Sequence, residues 1–597
     1  MGTLRVASAA VQIPTDDAAI IAGGILPRYA KGQVGELLAS AAIIEGDEVL
    51  CVVACDVIAV PRALGDAAAQ RIEAQCGVPI DNTLITASHT HHAPTTVTVH
   101  GYEADVEFCR HVEDAIVEAA VAARRRLDER SGRPNEVEAE MGFALGNEAT
   151  VGANSRLLMR DGQIAWAGHD PGECVRPTGP CDPDLAVIAF RRPGGRLAAL
   201  LFNHSTHNIG GHEGEVRSPG FYGLAAQEVG RKHRTTALFL PGALGSTHNL
   251  HVGGPEATRR VSAAVEEAVG RLRFGLSGPV VSRRKGIEYT VREFDEEQED
   301  AAVSRWCERW FPEEAAEANI AVFREMRRQL APRQGEKRRT WLQAIVLGDV
   351  ALACVPGEMF AKLGLEIRRR SPFRHTFVVG LANDEIGYIP DADAYDLGGY
   401  QLWTGFHSVL PRGAGEGIVD EVVGMLGELH AEAQGGRMTG SENVEVRTLT
   451  GGDGRALQRF YNELSPESRR LFRPLGWSAL LSDCEQIARD AAEGRRFDVV
   501  AWHRDAVVGW AFITPMDHDV PVLGIGVADG FQNRGIGKQL MQAVTDEGRR
   551  RGRSGIVLTV VDGNDRARLL YERFGFRTIG THRGDDGLDY LEMEMVY

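Results

Sequence analysis

Histidine is the residue in which this chain concentrates its chemistry. Twelve of its 18 histidines lie between residues 89 and 251. They gather in three groups: His89, His91 and His92; His204 and His207; His248 and His251. Imidazole is the commonest metal ligand at neutral pH. Each group follows a run that reads as a strand, and strand ends are where sites collect in α/β sheets. An H-x-H on an extended segment turns both rings to one face. Three such groups predict a metal site, although composition does not name the carboxylate that would complete it. A second pattern lies near the C-terminus, where Asp529-Gly530-Phe531-Gln532-Asn533-Arg534-Gly535-Ile536-Gly537 leads into a helical run, Lys538–Arg549. Small residues at 535 and 537 let successive backbone N–H groups approach an anion, and the helix N-terminus adds partial positive charge. Those features make a pyrophosphate cradle.

The elements that must position these residues alternate between strand and helix. Leu37–Ile44, Val49–Val60 and Asn82–Ser88 read as strands, and Ala63–Gln75 as a helix. Leu185–Phe190, Leu197–Phe202, Ala237–Leu240, Trp341–Val355 and Thr376–Leu381 are further strands, while Phe221–Lys232 and the charged run Gln298–Leu330 are helical. The small, polar stretch AEAQGGRMTGSEN, residues 431–443, has the composition of a linker. The expected architecture is α/β: a large mixed α/β, metal-hydrolase-like domain over 1–430, the linker 431–443, and a smaller α/β domain over 444–597.

Composition excludes several classes. At 597 residues, 43% hydrophobic and 25% charged, the chain is globular and too long for one core. Its formal charge of −17 and the absence of a basic stripe longer than Arg549–Arg553 argue against a nucleic-acid partner. No apolar run approaches the roughly 20 residues that span a bilayer, so no stable membrane insertion is expected. The opening MGTLRVASAAVQIPTDD lacks the charged and apolar regions of a secretory leader, and a cytoplasmic location is expected. The nine scattered cysteines contain no C-x-x-C and imply neither a thiolate zinc site nor a disulfide frame.

Two resemblances sharpen these expectations. Ser88-His89-Thr90-His91 resembles the HTH motif of the neutral/alkaline ceramidase family. Asn203-His204-Ser205-Thr206-His207, Ser218-Pro219-Gly220-Phe221-Tyr222-Gly223, Pro356-Gly357-Glu358, and Gly380-Leu381-Ala382-Asn383 with Tyr388 and Tyr395 resemble its later motifs, in order. The resemblance implies zinc held by His89, His207, Glu358 and Tyr388, with His91 facing substrate and His248 a possible acid or base. It implies cleavage of an N-acyl bond. One departure is marked: the loop Gly242-Ala243-Leu244-Gly245-Ser246-Thr247-His248-Asn249 carries Gly245 where the family has its serine, and Ser246 would serve only if the loop shifted. A zinc-bound water is therefore expected over a serine nucleophile, in a zinc amidase acting on a smaller amide than a sphingolipid. Arg156 resembles a substrate-side arginine of the family, and His212 and Glu213 lie in a glycine-bounded loop read first as a simple polar loop, with a cover for the site as the alternative.

The C-terminal region resembles the GNAT acyltransferases. Gln532-Asn533-Arg534-Gly535-Ile536-Gly537 fits their Q-x-x-G-x-G coenzyme A loop, and Asn564 to Phe576 fits N-x-x-A-x-x-L-Y-x-x-x-G-F. This implies acetyl-CoA bound by Ile525, Gly526 and Val527, by the loop 532–537, and by Lys538 and Asn564. Tyr571 would protonate the departing thiolate. The combined expectation is a bifunctional enzyme using zinc and acetyl-CoA on a small amide or amine, with homo-oligomerisation open. The alternatives are an acetyltransferase whose ceramidase-like module is catalytically silent, or a zinc esterase or phosphoesterase.

Overall fold

The computed structural model describes residues 4–129, 137–165, 171–209, 216–276, 278–436, 444–503, 506–532, 535–584 and 587–597. Two compact units divide the chain, 1–430 and 431–597.

The large unit is mixed α/β, as the alternation predicts. Its first sheet runs, in spatial order, Ala237–Pro241, Leu197–His204, Asp184–Arg191, Glu138–Asn147, Leu4–Gln12, Leu38–Glu45, Val49–Cys55 and Thr83–Ala87. Arg273–Leu276 adds a ninth strand beside Glu138–Asn147. Leu4–Gln12 meets Glu138–Asn147 at only two positions, so the sheet divides into one part of four strands and one of five. Ser8 Oγ donates to the Ala198 carbonyl at 2.6 Å between the two parts. The second sheet contains Val280–Thr290, Lys337–Leu347, Val350–Cys354 and His375–Val379. The two sheets face each other across one apolar layer in which Val52, Leu84 and Phe190 meet Ile345, Leu352 and Phe377. Helices Arg62–Cys76 and Val106–Asp128 cover one part of the first sheet, and Gly220–His233 and Gly254–Gly270 the other. Ala361–Arg370 and Ala414–Gly436 back the second sheet. Each fully buried Val, Leu or Phe in these layers contributes roughly 1.5–3 kcal/mol.

Several elements differ from the sequence reading. The strand expected over Val49–Val60 ends at Cys55, and the following residues leave the sheet toward the histidines. Gln298–Leu330 is two helices, Glu296–Trp310 and Glu313–Leu330, because Pro312 lacks the N–H that would continue the first. Trp341–Val355 is a hairpin of two strands. Helix Ala414–Gly436 runs into the stretch expected as linker, whose residues 437–443 lie outside the described residues.

The small unit is one seven-stranded sheet: Val444–Thr448, Phe497–His503, Ala506–Thr514, Val522–Val527, Gly555–Val561, Asp589–Val596 and Arg577–Arg583. Val522–Val527 and Gly555–Val561 run parallel and pair only at Val522 and Val557. Beyond that point they part, leaving a wedge in the middle of the sheet. No helix among the described residues is long and apolar enough to cross a membrane.

Candidate functional sites

The end of strand Thr83–Ala87 delivers His89, and the end of Leu197–His204 leads to His207. The ring nitrogens of His89, His91 and His207 come within 4.8 Å of one another. The extended H-x-H of the sequence reading is not what joins the first two. His89 takes a left-handed backbone, φ 57°, a strained conformation of the kind that collects at functional sites. That turn swings its ring until His89 Nε2 and His91 Nε2 stand 3.3 Å apart. His91 thus belongs to the cluster itself. His89 Nδ1–H donates to the Ile58 carbonyl at 2.8 Å, and His207 Nδ1–H to Leu244 O and Thr247 O at 2.9 and 3.0 Å. With Nδ1–H committed to carbonyls, each of these two rings turns its Nε2 inward, the nitrogen left to take a metal.

Glu358 completes the group. Its Oε2 lies 2.9 Å from His207 Nε2 and 3.4 Å from His89 Nε2, while the side chain is buried. Burial pushes this carboxyl up, but His89 and His207 outweigh burial and hold it well below the usual range. Tyr388 Oη stands 3.5 Å from His207 Nε2, and burial followed by Glu358 raises its hydroxyl well above an ordinary tyrosine. Two imidazoles and a carboxylate, all buried and aimed at one point, suit a divalent cation, and zinc in particular.

The loop before His248 explains how Glu358 is fixed. Gly245 N–H donates to the Met359 carbonyl at 2.8 Å. A Cβ at 245 would stand 2.1 Å from the Glu358 carbonyl oxygen. Only glycine permits this approach, so no side-chain nucleophile fits at this position. The same turn supplies the carbonyls of Leu244 and Thr247 that orient His207. One loop thus sets both a ring and a carboxylate.

Other expected residues fall elsewhere. Ser246 is not brought to the cluster: its Oγ accepts from Ala361 N–H at 3.0 Å, where helix Ala361–Arg370 begins. His248 packs against His207, ring centroids 4.1 Å apart, and does not line the cavity beside the cluster. His204 is structural, bridging the Tyr222 hydroxyl and the Glu148 carbonyl. Arg156 is fully buried and donates to Gln401 Oε1 and the Gly398 carbonyl, bracing the segment that carries Tyr400. His212 and Glu213 lie outside the described residues.

The cavity beside the cluster measures only about 30 Å³, against about 10–15 Å³ for one water. Its walls include residues that the sequence reading missed. His100 Nε2 meets Tyr400 Oη at 2.9 Å, His407 stacks on Tyr400 with ring centroids 4.9 Å apart, and Glu385 lies alongside. Burial lowers His100 to about 4 and His407 to about 3, so both are neutral. Burial, then Glu358, raises Glu385 well above an ordinary carboxyl. No motif marks these residues; Glu385, Tyr400 and His407 flank Tyr388 within one stretch of chain, and His100 joins them from far away in sequence.

In the small unit, a cavity of about 810 Å³ occupies the wedge between the parting strands. Ile525, Gly526, Val527, Gln532, Gly535, Gly537, Lys538, Asn564 and Tyr571, all anticipated from the sequence, line it. Gly535 caps helix Ile536–Arg550 with φ 75°, a left-handed residue that glycine adopts without strain. Gln532 Nε2 donates to the Val527 carbonyl at 3.0 Å and pins the loop to the strand end. Asn564 Oδ1 accepts from Ala567 N–H and caps the next helix. The Ile536 side chain differs from expectation: it turns into the core, so only its backbone N–H could serve an anion. Asn533 and Arg534 lie outside the described residues. Tyr571 is buried, which raises its hydroxyl and keeps it protonated at neutral pH.

Residues 457–576 match the acetyltransferase (GNAT) family. The C-terminal unit is a GNAT domain. A GNAT fold implies use of acetyl-CoA. No curated protein matches the chain. Among solved structures, neutral ceramidase from Pseudomonas aeruginosa is similar over 71% of this chain and 74% of its own, with 19% identity and a TM-score of 0.54. A ceramidase complexed with C2 is similar over 72% and 76%, with 18% identity and a TM-score of 0.53. An acetyltransferase of the GNAT family from Streptococcus pneumoniae aligns over 26% of this chain and 99% of its own, with 21% identity and a TM-score of 0.24. The ceramidase likeness establishes a fold: the chain joins a ceramidase-like body to a GNAT domain.

Proposed function

We propose that the large unit is a zinc-dependent amidohydrolase for a short N-acyl group and that the GNAT domain N-acetylates a small amine from acetyl-CoA. The observation that carries the hydrolase reading is the convergence of His89, His207 and Glu358 with both Nδ1–H groups committed to backbone carbonyls. These three residues would hold the ion, with Tyr388 beside them. A bound zinc ion supplies Lewis acidity toward an amide carbonyl and lowers the pKa of water. The chain's own contribution is positional. His91, whose Nε2 faces that of His89 at 3.3 Å, would serve as base or hydrogen-bond partner for the attacking water, and the protonated Tyr388 hydroxyl would donate to oxygen. Gly245 leaves no room for a serine, which favours water as nucleophile. The cavity of about 30 Å³ supports an acyl group far smaller than a lipid chain.

In the GNAT domain, the open edge of Val522–Val527 would take the pantetheine arm, and the N–H groups after Gly535 the pyrophosphate. The amine nitrogen attacks the thioester carbonyl; the N–C bond forms as the C–S bond breaks, Tyr571 would give its proton to the thiolate, and the proton lost from nitrogen would return to Tyr571 through water. The absent serine also motivates a second reading, a large unit that only presents an amine to the transferase.

Incubating the full chain with N-acetyl amines, acetyl esters and phosphoesters, with and without acetyl-CoA, tests the proposal. Acetate and amine release that requires zinc, together with acetyl-CoA-dependent amine acetylation, is expected. Acetylation without any hydrolysis supports the presenting module, and release of phosphate alone rejects the amidase.

A further inference from the structure

A second cleft of the large unit shares no lining residue with the cavity at the histidine cluster. It opens where the two parts of the first sheet diverge and measures about 870 Å³, within the range of small-molecule sites. Ser8, Ala10, Ser40, Ala54 and Ala198 form its floor, too small to fill the space.

Five arginines border it: Arg126, Arg192, Arg196, Arg231 and Arg234. They come from three places in the fold. Arg126 lies in the last turn of helix Val106–Asp128, Arg231 and Arg234 at the end of helix Gly220–His233, and Arg192 and Arg196 on the turn between Asp184–Arg191 and Leu197–His204. Arginine at a helix C-terminus complements the helix dipole, but that does not account for the pair on the turn. Arg126, Arg196, Arg231 and Arg234 make no ion pair among the described residues. Arg126 donates to the Ser8 carbonyl and Arg231 to the Gln227 carbonyl, both uncharged. In a chain of formal charge −17 this is a concentrated positive field.

Among the described lining residues, only Glu36 and Asp56 oppose it. Asp56 is buried at the inner end, where Leu38 N–H donates to its Oδ2 at 3.1 Å. Helix Gly220–His233 passes so close that a Cβ at Gly223 would stand 2.8 Å from Asp56 Oδ1. Burial raises this carboxyl to about 7, so near neutrality it carries only part of a negative charge.

We propose that this cleft is a binding site for a small, multiply charged oxyanion, a phosphate ester or a polycarboxylate, held by the arginines at the mouth with its polar remainder over Ser8 and Ser40. Guanidinium forks match carboxylate and phosphate oxygens in pairs. The site is separate from both proposed reactions and does not rest on either.

Calorimetric titration of the full chain, preloaded with coenzyme A so that the GNAT loop is occupied, tests this with pyrophosphate and citrate as probes. Two double variants are compared: Arg196→Ala with Arg234→Ala, and Arg324→Ala with Arg328→Ala on the exposed helix Glu313–Leu330. They change the net charge equally. Saturable binding of one anion per chain is expected, weakened at least about tenfold in the first variant and unchanged in the second. Preference for pyrophosphate assigns a phosphate ester, and preference for citrate a polycarboxylate. No saturable binding of either anion, or equal behaviour of the two variants, overturns the proposal.

Discussion

The histidine cluster and the coenzyme loop are built at opposite ranges of sequence. His89, His207 and Glu358 come from three distant stretches, and backbone contacts hold them: a left-handed turn at His89, carbonyls on two Nδ1–H groups, and Gly245 pressed against Glu358. The coenzyme site is nearly contiguous, one strand edge and one glycine turn, with Asn564 and Tyr571 on the following elements. A contiguous site keeps its shape through local backbone preference. A dispersed one depends on packing, so a single added methyl group far from the reacting atoms can undo it. That contrast says where each half is fragile.

The largest effect is expected in the local site, because there one hydroxyl does one job. Tyr571→Phe keeps the ring in the core and removes the proton donor; acetyl transfer should fall about a hundredfold in kcat with little change in KM for acetyl-CoA. Hydrolysis should not change. An unaltered kcat would show that another group protonates the thiolate.

Gly245→Ser probes the dispersed site in the same way. Restoring a serine puts Cβ into the Glu358 backbone and displaces the carboxylate, so zinc affinity should drop about 10–100-fold, as it does when supporting contacts are lost. Full retention of affinity would show that the loop does not set Glu358. A serine that increases hydrolysis would reverse the water-nucleophile reading.

A smaller change is expected at Gly535. A side chain there meets no neighbour, but φ 75° disfavours any residue with a Cβ. Gly535→Ala should cost about 1 kcal/mol, read as roughly a fivefold rise in KM for acetyl-CoA. A rise of a hundredfold would mean that the loop contacts the coenzyme more tightly than a turn requires.

A readout of stability rather than activity separates the cleft from both sites. Asp56 has a folded-state value near 7, above the ordinary carboxyl value. The folded state therefore holds this proton more strongly, and Asp56 lowers stability as pH rises from about 4 to 7. Asp56→Asn should remove that dependence and raise the melting temperature at pH 8 relative to wild type, with little difference at pH 4. A melting curve with the same pH dependence in both proteins would place Asp56 in water.

The sequence exposed the two sites unequally, for the same physical reason. Glycine at 535 and 537, glutamine at 532 and the downstream tyrosine occur at fixed short spacings, so the coenzyme loop reads directly from the chain. His89 and His207 stood out through their histidine groups at strand ends, and Glu358 only because its motif falls in order with theirs. The wall made by His100, Tyr400, His407 and Glu385 left no trace, since nothing in the sequence shows that His100 converges on the stretch 385–407. Ser246 looked available because polarity is visible in sequence and a capping bond to Ala361 is not. Apolar periodicity made many strand and helix positions legible, although helices Val106–Asp128 and Gly254–Gly270 and strands Leu4–Gln12 and Glu138–Asn147 were not read from it. Boundaries also failed where one residue broke it, as Pro312 does between two helices that share a charged pattern.

The central claim is that three side chains from separate parts of the large unit share one metal ion. Elemental analysis of the purified full chain, beside His207→Ala and Glu358→Ala, tests it most directly. About one zinc per chain in the wild type, lost in both variants while acetyl transfer persists, is the predicted result. A wild-type chain that takes up no zinc, or variants that keep it, would contradict the account.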